Sequence, residues 1–247
     1  MKISFSILVL LMGLVSSAAA KDDITKELIT SNGKTRAYYL YVPSTVKAES
    51  PVPLVVMLHG SGHVGMSLVE KWKDLAKKEN FIIAGPDSSN PQTWGIPKDG
   101  PDYLRDLVEE LKKKYPINAR RVYLFGHSAG ASYAMEMGVM EPEYFAAVAI
   151  HAGALPGNNR DLVTMAKRKI PMYIQVGDRD PFAPLKVVRA TRDFLKENDF
   201  PIELTEIPNH DHWYYDMAPK INLAAWEFLK KYQLEQDPVY NQFNFNK

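Results

Sequence analysis

The pentapeptide Gly126-His127-Ser128-Ala129-Gly130 constrains this chain more than any other stretch. It follows the apolar run Val122-Tyr123-Leu124-Phe125 and opens a segment with helical patterning, so a strand must turn sharply into a helix with a serine at the apex. Glycines on both sides admit a turn too tight for Cβ atoms. The serine hydroxyl then projects at a helix N-terminus, where backbone N–H groups stabilise negative charge. Ser128 is therefore a candidate nucleophile.

The rest of the chain alternates in the same way. Ile24 to Thr30 and Thr35 to Val42 flank Asn32-Gly33, a two-residue hairpin signal. Runs rich in Val, Ile and Leu follow at Leu54–Leu58, Phe81–Ala84, Arg121–Phe125, Ala146–Ile150, Met172–Val176 and Ile202–Ile207, as expected for strands buried on both faces. Helical patterns separate them, near Leu68–Lys78, Pro101–Tyr115, Ser128–Met140, Pro184–Glu197 and Pro219–Tyr232. Tyr103, Leu107, Leu111 and Tyr115 recur on one helical face, and Pro101 and Pro219 suit first-turn positions. This order predicts a mostly parallel eight-stranded sheet with helices on both faces. Met135, Met137 and Met140 read as core filler of the helix after the serine.

Bulk properties remove several function classes. The 247 residues suffice for one large domain, and 46% hydrophobic with 24% charged residues describes a folded chain. A net charge of +1 argues against a nucleic-acid partner held by a basic face, and Lys112-Lys113-Lys114 and Lys230-Lys231 read as solvated helix faces. The absence of cysteine excludes disulfides, a cysteine nucleophile, thiolate metal sites and a lipoprotein anchor. Residues 1–20 carry a basic Lys2, an apolar stretch from Ile3 to Val15 too short for a comfortable span, and Ala18-Ala19-Ala20, which reads as a cleavable signal peptide and predicts a secreted or periplasmic protein without stable membrane insertion. Residues 21–232 form the expected catalytic domain, and 233–247 a polar peripheral tail.

A serine hydroxyl is a poor nucleophile unless a base removes its proton, and the base needs a carboxylate to fix its tautomer. The acid candidates lie just past the run Met172–Val176, in Gly177-Asp178-Arg179-Asp180-Pro181-Phe182-Ala183-Pro184. Asp180 is favoured, being three residues past the glycine and followed by a proline-bounded turn; Asp178 reads as a turn or cap residue, and Glu206 as a strand surface residue. The base candidates, His210 and His212, share one loop before the final helix. The run Leu54–Leu58 ends in His59-Gly60-Ser61-Gly62-His63-Val64-Gly65, whose glycines let backbone N–H groups turn inward. One loop N–H, from Ser61 with Gly62 as the alternative, together with that of Ala129, would form an oxyanion hole. His63 and His151 read as site-lining or as loop and strand-end residues. Trp94, His127, Trp213 and Tyr214 are candidate substrate contacts, aromatic packing being the competing role for the tryptophans and Tyr214. No dinucleotide or Walker pattern occurs, which argues against a nucleotide site in the glycine loop, and the expected serine chemistry needs neither cofactor nor metal.

With these residues in place, the chain resembles α/β-hydrolase fold esterases, in particular the polyhydroxybutyrate depolymerase-like and feruloyl esterase-like group. The loop Asp211-His212-Trp213-Tyr214-Tyr215 is similar to the Asp-His-x-Tyr-Tyr loop of esterase D-type enzymes, in which the histidine is catalytic. The resemblance implies a serine esterase with Ser128, Asp180 and His212 as its triad, acting on a small-molecule or polysaccharide-linked ester. Ser61 after His59-Gly60 departs from the extended glycine run of lipase-like enzymes, and the cysteines common in secreted depolymerases are missing. The short stretch from Gly153 to Lys169 leaves no room for a large cap domain. A serine peptidase of the same fold and a non-catalytic hydrolase-fold binding protein are the alternative readings.

Overall fold

The computed structural model describes residues 22–241, the side chains of residues 158 and 160 aside. The expected signal segment, residues 1–20, lies outside them. All eight anticipated strands form: β1 (Thr25–Ser31), β2 (Lys34–Tyr41), β3 (Val52–Leu58), β4 (Ile82–Pro86), β5 (Ile117–His127), β6 (Ala147–His151), β7 (Met172–Gly177) and β8 (Ile202–Ile207). They build one sheet in the order β1-β2-β4-β3-β5-β6-β7-β8. The hairpin β1–β2 is antiparallel and β2 runs antiparallel to β4, while every pairing from β4 through β8 is parallel.

Strand residues alternate between two cores because both faces are covered. Leu54, Val56 and Leu58 of β3 point to one cluster, and Val55 and Met57 to the other; in β5, Val122 and Leu124 oppose Tyr123 and Phe125. Helices α2 (Pro101–Lys114), α3 (Ala129–Met140) and α5 (Leu185–Glu197) supply the first core, through residues such as Leu107, Met135 and Val188. Helices α1 (Met66–Glu79) and α6 (Ala218–Leu229) supply the second, through Trp72 and Trp226. Val163 of a short helix, α4 (Arg160–Met165), joins the first core. Met135, Met137 and Met140 are buried as expected, because α3 lies under other elements almost all round.

Helix starts follow the sequence, with Pro101 and Pro219 both in first turns. The lysine runs are surface features paired at helical spacing, as in Lys112–Glu109 and Lys230–Glu227. The described part of the tail is mostly exposed and is held to the surface of the fold. Leu234 is 3% exposed with its carbonyl held by the Arg120 Nε, and Tyr240 donates to Asp102 at 2.5 Å, so residues up to 241 lie against the body of the fold. Among the described residues no helix is long and apolar enough to cross a membrane, and no cap domain interrupts the sheet.

Candidate active site

Parallel strands present their C-terminal ends along one edge of the sheet, where crevices form. Four loops meet there: 59–65 after β3, the turn after β5, 178–184 after β7, and 208–215 after β8. The turn after β5 is as tight as its glycines imply. A Cβ on Gly126 would lie 2.1 Å from the Gly130 carbonyl oxygen, and one on Gly130 would lie 2.0 Å from that of Leu58. Between them Ser128 sits at φ 56°, ψ −120°, a conformation that non-glycine residues adopt only when their surroundings enforce it. The Ser128 N–H donates to the His151 carbonyl at 3.0 Å, pinning the turn to the end of β6.

His212 Nε2 lies 2.8 Å from Ser128 Oγ, and His212 Nδ1 lies 2.8 Å from Asp180 Oδ2. An ionised carboxylate only accepts, so Nδ1 carries the ring proton and Nε2 is free to receive one from the serine. The Asp180 side chain is fully buried, and its other oxygen accepts the N–H groups of Phe182 and Ala183, each at 2.8 Å. The rival acids lie elsewhere. Asp178 is exposed, and Glu206 forms a two-pronged pair with Arg189 at 2.6 Å. His210 is buried and points to His151 rather than to Ser128.

The glycine loop is held from below. His59 Nδ1 donates to the Gly60 carbonyl at 2.8 Å while its Nε2 accepts the Ser88 N–H at 3.2 Å, which fixes one neutral tautomer; burial lowers its affinity for a second proton. The Gly62 N–H is spent on the Pro91 carbonyl at 2.8 Å and that of His63 on Gly60 at 3.2 Å. Gly65 N–H donates to Asp87 Oδ1 at 2.8 Å. Among the described residues, the N–H groups of Ser61 and Ala129 have no such partner.

A cavity of about 550 Å³ opens above the serine, with Ser61, His63, His127, Phe182, Trp213 and Tyr215 in its walls. Phe182 is 78% exposed and meets the edge of the His212 ring, and Trp213 is 52% exposed. Trp213 and His127 thus reach the cavity, whereas Trp94 and Tyr214 do not. Trp94 is buried beneath the glycine loop, stacked on Tyr133, and its Nε1 donates to the His59 carbonyl at 2.8 Å. Tyr214 is fully buried and donates to Asn222. The sequence did not single out Phe182, Tyr215 or the support under the loop, because nothing local marks which aromatic ring faces a cleft.

Burial also shapes the remaining histidines. Desolvation, then the neighbouring His212, pushes His127 down to about 3; burial, then His127, pushes His151 down to about 2. Both are neutral at ordinary pH. Among the described residues no group of acidic or histidine side chains has the arrangement of a metal site.

Comparison with known proteins bears on the family and the fold. The model of the phospholipase/carboxylesterase family matches residues 87–225, more than half of the chain and beginning after the glycine loop. Feruloyl esterase B from Neurospora crassa is 29% identical over 158 residues, covering 58% of this chain and 53% of its own. A poly(3-hydroxybutyrate) depolymerase from Ralstonia pickettii is 28% identical over 149 residues, covering 51% of this chain and 30% of its own. The chain spans about half the length, or less, of these curated relatives. Among solved structures, a ferulic acid esterase from Anaeromyces mucronatus superposes with a TM-score of 0.66 at 19% identity, covering 85% of this chain and 90% of that one, which is a likeness of fold.

Proposed function

The chain belongs to the phospholipase/carboxylesterase family, and from that premise we propose that it is a secreted or periplasmic serine carboxylic-ester hydrolase that works through an acyl-enzyme. The observation that carries the reading is the unbroken row from Asp180 through His212 to Ser128, with both links at 2.8 Å. Ser128 Oγ attacks the ester carbonyl carbon as His212 Nε2 takes its proton. Asp180 holds the imidazole in the tautomer that leaves Nε2 open and offsets the positive charge that develops on it. The tetrahedral intermediate collapses, and His212 returns the proton to the departing alcohol oxygen.

Negative charge on the carbonyl oxygen is met by the N–H groups of Ala129 and Ser61. Gly62 is the weaker candidate because its N–H already serves Pro91. His59 has a part in this. The Gly60 C=O and the Ser61 N–H belong to one planar trans peptide and point in opposite directions. By holding the carbonyl together with the His63 N–H, His59 aims the Ser61 N–H.

The open cleft with exposed Phe182 and Trp213 favours bulky esters, including those borne by polysaccharides, over long lipid chains, and the feruloyl esterase relative fits that class. Export rests on the signal-like pattern of residues 1–20. The test is direct. The protein without residues 1–20 should hydrolyse short p-nitrophenyl esters and take up a fluorophosphonate at Ser128. Ser128→Ala should lower turnover by at least about 10⁴-fold; turnover at the wild-type rate in that variant sinks the mechanism. A panel of feruloyl, acetyl and hydroxyalkanoyl esters then ranks the acyl groups.

A further inference from the structure

Three histidines unused by this chemistry form a buried line across the site. His127 Nδ1 lies 3.0 Å from His151 Nδ1, and His151 Nε2 lies 3.0 Å from His210 Nε2. The residues are 5%, 0% and 7% exposed, so these nitrogens depend on one another for partners. Each N···N contact needs one protonated and one bare nitrogen. Three neutral rings satisfy both contacts, with His151 donating at one end and accepting at the other.

The line joins elements that the reacting groups connect only through a bond that comes and goes. His151 ends β6, pairs in register with His127 at the end of β5, and holds the Ser128 N–H through its carbonyl. His210 sits two residues before His212, and its carbonyl accepts the Arg179 N–H at 3.0 Å, next to Asp180. The His151–His210 contact thus ties the loop carrying the base to the strand supporting the nucleophile.

We propose that His151 and His210 are positioning residues that keep the His212 loop in place in the acyl-enzyme, when Ser128 no longer holds it. This rests on the serine-esterase reading above. In the free protein His212 is held at both ring nitrogens. Once Ser128 Oγ is bonded to the acyl carbon, its proton has left with the alcohol, and Nε2 loses that partner. Deacylation still requires Nε2 near the acyl carbon. A water oxygen bonds to that carbon as the water proton passes to Nε2; the C–Oγ bond then breaks, Oγ takes the proton back, and the carboxylic acid leaves. Asp180 anchors the far ring nitrogen, whereas the backbone two residues away is anchored by His210 on His151. Acylation starts with His212 already hydrogen-bonded to the serine and needs this tether less.

The test separates the two half-reactions. Protein acetylated with p-nitrophenyl acetate is followed by intact mass as the acetyl group is lost, and acylation is followed by the rate of fluorophosphonate capture at Ser128. In His151→Leu the acetyl-enzyme should decay about 10- to 100-fold more slowly, the scale expected of a small misplacement of a catalytic group, with capture within about threefold of wild type. His151→Gln, whose amide offers one donor and one acceptor, should restore most of the decay rate. Should the leucine variant fail to fold, His210→Leu removes the same contact from the loop side. Equal losses in capture and decay, unchanged decay, or no rescue by glutamine overturn the proposal. Wild-type protein that neither captures the fluorophosphonate nor turns over esters overturns the esterase reading itself; captured wild type with unchanged decay in the variants overturns the tether alone.

Discussion

At the scale of single residues, the glycine loop separates what a side chain does from what its backbone does. Ser61 is exposed, and the donor assigned to it is its N–H. Ser61→Ala should therefore leave kcat within about twofold, because the N–H survives the change. His59→Leu should be far worse although its ring never meets substrate. It leaves the Gly60 carbonyl held only by the His63 N–H at 3.2 Å and the Ser88 N–H unpaired. Loss of one oxyanion donor costs about 10²- to 10³-fold in kcat, which bounds the expected defect, with KM little altered. Steady-state kinetics on one short ester checks both variants; a larger defect in Ser61→Ala than in His59→Leu would place the donor on a side chain instead. Little of this was legible in advance. His59 stands beside Gly60 in the sequence, but the Ser88 N–H that fixes its tautomer arrives from 29 positions away.

Among the elements, the segment between β4 and α2 is the least regular and the most consequential. It contributes four hydrogen bonds to the glycine loop, at His59 (two), Gly62 and Gly65. Asp99 in turn organises the segment. Its carboxylate accepts the N–H groups of Ser89 at 2.7 Å and Gly95 at 2.9 Å and pairs with Arg36 at 2.6 Å, with both side chains nearly sealed from solvent. Arg36 lies with its guanidinium 3.3 Å over the Tyr103 ring. Removing one member of a buried pair leaves the other charge uncompensated, a loss of about 3–5 kcal/mol. Asp99→Ala should destabilise by that order in urea unfolding, and Arg36→Met combined with Asp99→Leu should recover part of it. A single-variant loss under about 1 kcal/mol contradicts a buried, unrelaxed pair.

Elements were legible in the sequence wherever local pattern decides them. The six strands from β3 to β8 had their Val, Ile and Leu runs, the β1–β2 hairpin had its Asn32-Gly33 turn, and both first-turn prolines marked helix starts. The short helix α4 was missed because six residues, Arg160–Met165, are too few for periodicity to register. Trp94 takes the packing role that competes with a wall position in the sequence, because exposure is a tertiary property. Asp180, by contrast, ranks above Asp178 from its turn alone, and it is the Asp180 carboxylate that lies buried against His212 Nδ1.

For the molecule as a whole, the buried histidines set how stability responds to acid. His127 is faced by His151, His212 and His63 as well as the Asp180 carboxylate, and His151 by His127, His210 and His212; burial dominates in both and depresses them to about 3 and about 2. In the unfolded chain the same side chains bind protons near pH 6.5. Below that pH the unfolded state carries protons that the folded state refuses at His127 and His151, and buried His59 acts in the same direction, so stability rises with pH and falls on acidification. Each histidine should remove about 2 kcal/mol between pH 7 and pH 5, about 4 kcal/mol together, well before ordinary carboxylates titrate. Urea unfolding at pH 7, 6 and 5 measures the loss. His151→Gln takes one titrating group out of the line and should recover about 2 kcal/mol of the loss between pH 7 and pH 5. A stability independent of pH over this range would mean that the line takes up protons as readily folded as unfolded, and that the rings are not sealed from water as their burial implies.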